Sequence, residues 1–155
     1  MNKIELLQKE CNAIEDNARH TADAHYFSAT WNRKLAFWFE MAPASVAAFS
    51  SLLVVGGVIP AWWGWLTLVS SVITAVGVVL SPHKTYYEDL KAGKNFTSVK
   101  NQAKTLSNTY SHHYTEDKFF EAIRNLNERY DQLVQVSPPT EEWAYKKALD
   151  KNKTS

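Results

Sequence analysis

No Asp, Glu, Lys, Arg or His occurs between Met41 and Pro82, and nothing else in the 155-residue chain limits its fold so sharply. The tract reads MAPASVAAFSSLLVVGGVIPAWWGWLTLVSSVITAVGVVLSP. A helix needs about 20 mostly apolar residues to cover a hydrocarbon core of roughly 30 Å. Two such spans fit, about 41–58 and 62–80, with Gly56, Gly57 and Pro60 marking a turn near 56–61. A soluble fold would need a core helix pair with no polar outer face, which a chain of this size can hardly cover. The expected fold class is therefore all-α, a membrane protein with a two-helix transmembrane hairpin and a cytoplasmic helical bundle or coiled-coil flanks.

The two spans are unequal. Val46, Phe49, Leu52, Leu53, Val54, Val55 and Val58 supply the first with only about −2 to −4 kcal/mol of insertion free energy, set against Pro, Ser and Gly. The second carries nine aliphatic residues and a cluster of Trp62, Trp63 and Trp65 at its outer boundary. Pro43 either kinks the first helix or sits in its first turn. Projected at 100° per residue, Ser70, Thr74, Gly77 and Ser81 share one stripe of the second span, and Ala44, Ala47, Ala48 and Ser51 share a face of the first. Two readings fit these faces. Small residues let membrane helices approach closely; alternatively, an oligomer turns the hydroxyl stripe toward a pore, which without a charged ring selects weakly. Glu40, at the edge of the tract, is read as snorkelling or pairing with a nearby cation.

Outside the tract the pattern is amphipathic. Ile4, Leu7, Cys11, Ile14 and Ala18 alternate spacings of three and four, as do Phe96, Val99, Ala103, Leu106 and Tyr110. Phe119, Ile123, Leu126, Tyr130 and Leu133 form a heptad-like seam in a helix that Thr115 is expected to cap and Pro138–Pro139 to end. Pro82 is expected to close the second span and Gly93 to break the segment after it. A short helix opens at Thr140-Glu141-Glu142, with Trp143 exposed or docked and 151–155 frayed. The domains expected are a cytoplasmic amphipathic helix over 1–34, the hairpin over 35–82, and a cytoplasmic helical region over 83–155. The three cytoplasmic stripes, one before the hairpin and two after it, must bury against one another or against another copy of the chain.

Chemistry-bearing patterns are sparse. Lys and Arg number 17 against 16 Asp and Glu, so no basic footprint for nucleic acid is expected. The single cysteine, Cys11, can form no intramolecular disulfide and is expected to pack as a small apolar residue. His112 and His113 are adjacent and His20 and His25 five apart, neither a metal-ligand spacing on a helix; surface or interfacial roles are expected. Arg19 and Asp23, four apart, are placed to pair. No catalytic residue, cofactor or metal site is assigned. The sequons at Asn95 and Asn152 fall on the side expected to be cytoplasmic.

Arg33 and Lys34 precede the first span and Lys84, Lys91 and Lys94 follow the second, while the turn has no basic residue. The positive-inside bias puts both termini in the cytoplasm. No cleaved signal is expected, because the first thirty residues lack an apolar signal core. Trp31, Trp38, Phe37 and Phe39 suit the interface on that side, as do Tyr86 and Tyr87. A polar N-terminal helix with Trp31-x-Arg33-Lys34, a tight two-span hairpin, then Tyr86–Tyr87 and a helical tail resembles the SLATT group of two-span effectors found with bacterial antiphage defence systems. The resemblance covers about Ala18 to Leu133. It implies a dormant protein of the bacterial inner membrane that is triggered by an upstream sensor protein or nucleotide second messenger, forms a homo-oligomer and permeabilises the bilayer in abortive infection. The alternative is a non-enzymatic anchor or scaffold whose cytoplasmic helices bind a partner protein. A membrane-bound enzyme ranks last.

Overall fold

The computed structural model describes residues 3–57, 60, 62–113 and 115–153, with side chains except those of Lys3, Val55 and residues 110–113. Among these the chain is all-α, with five helices and no strand: α1 (Lys3–Val55), α2 (Trp63–Leu80), α3 (Pro82–His113), α4 (Glu116–Val136) and α5 (Glu142–Lys153). Val58 and Ala61, assigned above to the first span and the turn, lie outside the described residues. So do the side chains of Tyr110, His112 and His113. The chain divides into two compact units, one of Met1–Ala29 with Tyr87–Ser155 and one of Thr30–Tyr86.

The first unit is a helical body in which the three amphipathic stripes bury against one another. Leu7, Cys11, Ile14 and Ala18 of α1, Val99 and Ala103 of α3, and Phe119, Ile123 and Leu126 of α4 form one core. Ile4, Leu106, Tyr130 and Leu133 flank it. Burying a side chain such as Phe119 or Ile123 contributes about 1.5–3 kcal/mol, which offsets the ordering of helices too polar to fold singly. Helix α5 presents small residues instead: Ala144 and Ala148 are fully buried.

Polar contacts fix where α5 lies on α1. Lys151 Nζ donates to Asp23 Oδ1 at 3.1 Å, and Asn152 Nδ2 lies 2.9 Å from His20 Nδ1. Lys147 Nζ sits 4.8 Å from the centroid of the Phe27 ring, a cation–π arrangement. The expected fraying from residue 151 is thus corrected: Lys151–Lys153 remain helical, because Lys151 and Asn152 have partners. Arg19 also departs from expectation. It pairs with Asp16 one turn earlier, while Asp23 takes Lys151.

Gly93 does not break α3, which runs through it. The residue is buried, and a β-carbon there would sit 3.1–3.3 Å from three carbons of the Tyr26 ring. Its lack of a side chain therefore lets α1 and α3 approach. Thr97 Oγ1 donates to the Gly93 carbonyl at 2.8 Å, so its lone hydroxyl proton is committed and the Tyr26 hydroxyl, 3.2 Å away, donates to it. Thr115 occupies the N-cap of α4 in extended conformation, but its side chain makes no capping bond. Glu116 and Asp117 in the first turn suit the positive end of the helix.

Cys11 is fully buried, and its thiol donates to the Ala103 carbonyl at 3.2 Å. Burial, reinforced by the nearby Glu15 charge, pushes its pKa up from 9.0 to about 11. Since the folded value is the higher one, the thiol's contribution to stability is complete below about pH 9 and is lost as pH rises toward 11. At pH 7.5 the thiolate is about a hundredfold scarcer than in the unfolded chain. Alkylation by iodoacetamide is accordingly expected to be at least that much slower for the folded chain, measured by mass shift, and equal rates would show that the residue is not enclosed.

Candidate functional site

The second unit is a hairpin of the C-terminal part of α1 with α2 and the first turn of α3. Helix α1 ends at Val55, Gly56 donates its N–H to the Leu52 carbonyl at 3.0 Å, and Gly57 takes φ +67, where a side chain would be strained. Trp62 caps α2. At its other end Ser81 adopts φ 43 and ψ 51 and its N–H closes on the Gly77 carbonyl, so this left-handed residue ends the helix. Pro82, expected to be the terminator, is instead the first residue of α3, where a missing N–H costs nothing. Pro43 lies inside α1 and leaves the Phe39 carbonyl without its usual donor four residues on.

The two small-residue faces do not meet. From Phe39 onward the half-buried residues of α1 are Phe39, Ala42, Pro43, Val46, Ser50 and Leu53, whereas Ala44, Ala47, Ala48 and Ser51 are all exposed. On α2, Trp63, Thr67, Ser70, Ile73 and Gly77 are half-buried. A β-carbon on Gly77 would lie 3.0–3.1 Å from Phe39 carbons, and Trp63 Nε1 donates to Ser50 Oγ at 2.8 Å. Ser70 and Gly77 therefore belong to the packing face of the hairpin. Thr74 is exposed beside them, and Ser81 Oγ donates to the Val78 carbonyl at 2.8 Å.

Both helices are apolar enough, and long enough, to cross a membrane, and none of their apolar stretch is buried within the chain. Phe49, Leu52, Leu68, Val72, Val78 and Val79 are among the large side chains left exposed. Of the residues placed at the interfaces, Arg33, Lys34, Lys84, Trp38, Trp62 and Trp65 are exposed. Trp63 is half-buried and meets Trp62 edge-on at 5.2 Å.

At the foot of the hairpin lies a cleft of about 570 Å³. Phe39, Pro43, Gly77 and Val78 are part of its apolar lining and Glu40, Thr74, Ser81, His83 and Lys84 of its polar lining, with Thr74 two turns of α2 before Ser81. His83 Nε2 donates to Glu40 Oε1 at 2.8 Å. These are the titratable residues that bound the uncharged tract on either side, so one side-chain contact joins the two ends of the tract. Sequence spacing did not single out His83 as the partner of Glu40.

Within the helical body, a second polar feature escaped the sequence reading. His25, expected in a surface or interfacial role, is 1 % exposed; its Nδ1 donates to Asp89 Oδ1 at 3.0 Å, and its ring stacks on Phe96 with centroids 5.7 Å apart. Asp89 is equally buried, and the buried Ser28 hydroxyl has no hydrogen-bond partner. Among the described residues no group of three or more His, Cys, Asp or Glu is placed to hold a metal ion.

Fold and site together define an all-α protein with a packed helical body and a hairpin of two helices able to cross a membrane. No protein-family model matches the chain, and no curated protein or solved structure does so either.

Proposed function

We propose that this chain is a non-enzymatic effector of the bacterial inner membrane, of the kind the SLATT resemblance implies. In this reading the hairpin spans the bilayer with both termini in the cytoplasm, and an upstream defence sensor or nucleotide signal drives copies to assemble and breach the membrane during phage infection. The observation that carries it is the unburied apolar surface of α1 and α2, which water would not tolerate and lipid covers. The basic residues Arg33, Lys34, Lys84, Lys91 and Lys94 support the orientation.

Because Ser70 and Gly77 are occupied in the hairpin contact, the assembly face in this reading is the exposed Ala44, Ala47, Ala48 and Ser51 side of α1. The same occupancy favours a second reading, that of a constitutive anchor or scaffold whose helical body binds a partner protein, since it takes Ser70 and Gly77 out of any pore lining and leaves only Thr74 and Ser81 of the stripe exposed. Inducible expression in bacteria with a membrane-potential dye separates the two. Depolarisation on triggering is expected, and Ala47→Leu is expected to abolish it while membrane insertion survives. Undisturbed potential with the trigger present would leave the anchor as the function.

A further inference from the structure

We propose that the cleft at the foot of the hairpin binds the headgroup of an aminophospholipid, a lipid whose primary ammonium adjoins its phosphate, as in phosphatidylethanolamine. This rests on the membrane reading above. The lining of the cleft is rich in acceptors. Thr74 Oγ1 donates its proton to the Ser70 carbonyl at 3.0 Å and Ser81 Oγ donates to Val78, so toward any further partner both hydroxyls can only accept. Glu40 adds a carboxylate, and the Phe39 carbonyl lacks its helical donor because residue 43 is proline.

Such a set calls for a ligand with several N–H donors and a positive charge. A quaternary ammonium has the charge without the donors, and a purely anionic headgroup brings a second negative charge to Glu40. His83 and Lys84 lie in the same lining and match a phosphate beside the ammonium. The apolar walls suit the start of the acyl chains, and a volume of about 570 Å³ is that of a small-ligand site. Position agrees as well, because Glu40 and His83 stand where the uncharged tract gives way to charged sequence, the level of a lipid headgroup.

The full chain in detergent, offered phosphatidylethanolamine, its N-methyl and N,N-dimethyl derivatives and phosphatidylcholine with identical acyl chains, tests this by native mass spectrometry. Retention is expected to fall stepwise as N–H donors are lost, by about tenfold across the series. Glu40→Gln and Thr74→Val, both nearly isosteric at exposed positions, are each expected to flatten it. Equal retention across the series, preference for phosphatidylglycerol, or a parent-like series in both variants would overturn the proposal. Carbonate extraction of the same proteins keeps the two readings apart. A chain that stays inserted but shows no preference defeats only the lipid site, whereas a chain released by carbonate defeats the membrane reading with it.

Discussion

Asp89→Ala is expected to lower the stability of the helical body by about 2–3 kcal/mol, the usual consequence of leaving a buried hydrogen-bonding side chain without its partner. His25 would keep its place against Phe96, 5.7 Å away, but lose the carboxylate that its Nδ1 meets. Asp89→Asn retains an acceptor of similar shape and is expected to cost about 1–2 kcal/mol, closer to a neutral buried hydrogen bond. Thermal unfolding followed by circular dichroism should show a drop of roughly 10 °C for the alanine variant. A melting curve like the parent's would mean that the pair is not structural. His25→Ala, which also deletes the stacked ring, is expected to match Asp89→Ala or exceed it.

Gly77→Leu is expected to separate α1 from α2. Even a β-carbon at this position would press to 3.0–3.1 Å from Cβ, Cγ and Cδ1 of Phe39, and leucine adds three further carbons to the same space. Overpacking of this size costs about 1–3 kcal/mol or more, which is large for a contact stabilised by close approach. A short thiol-to-thiol cross-linker between Ser50→Cys and Trp63→Cys, which spans the gap the indole bridges in the native hydrogen bond, reports the contact directly. Cross-linking should be near complete in the parent background and minor with Gly77→Leu, while Ala47→Leu on the exposed face leaves it unchanged. An unchanged yield in Gly77→Leu would show that the hairpin does not depend on this approach.

The stripes of the helical body were legible in sequence because apolar residues at spacings of three and four leave few ways to bury them. Leu7, Cys11, Ile14, Val99, Ala103, Phe119 and Ile123 all enter the core. The buried pair lay on the same stripes. Ala18, Ala22 and His25 continue one, and Asp89, Ala92 and Phe96 begin another. A histidine and an aspartate in apolar registers were the available signal, and hydropathy alone passes over them. Gly93 misled for a related reason: glycine's cost in a helix is local, whereas the close approach of Tyr26 comes from another helix.

In the hairpin the small-residue stripes were visible, but which of them meets the partner helix depends on rotation about the helix axis. Spacing does not encode that angle. The pairing of Glu40 with His83 likewise depends on the turn bringing distant residues together.

The alanines under α5 carry one more consequence. Ala144 and Ala148 are spaced by one helical turn, so sliding α5 along its axis by a turn would set one methyl where the other had been. The other methyl's site would then receive Asn152 or Thr140, a larger polar side chain in a space that holds a methyl group. The seam therefore selects the same register as Lys151 on Asp23 and Asn152 beside His20, and α5 is keyed twice, once by size and once by polarity.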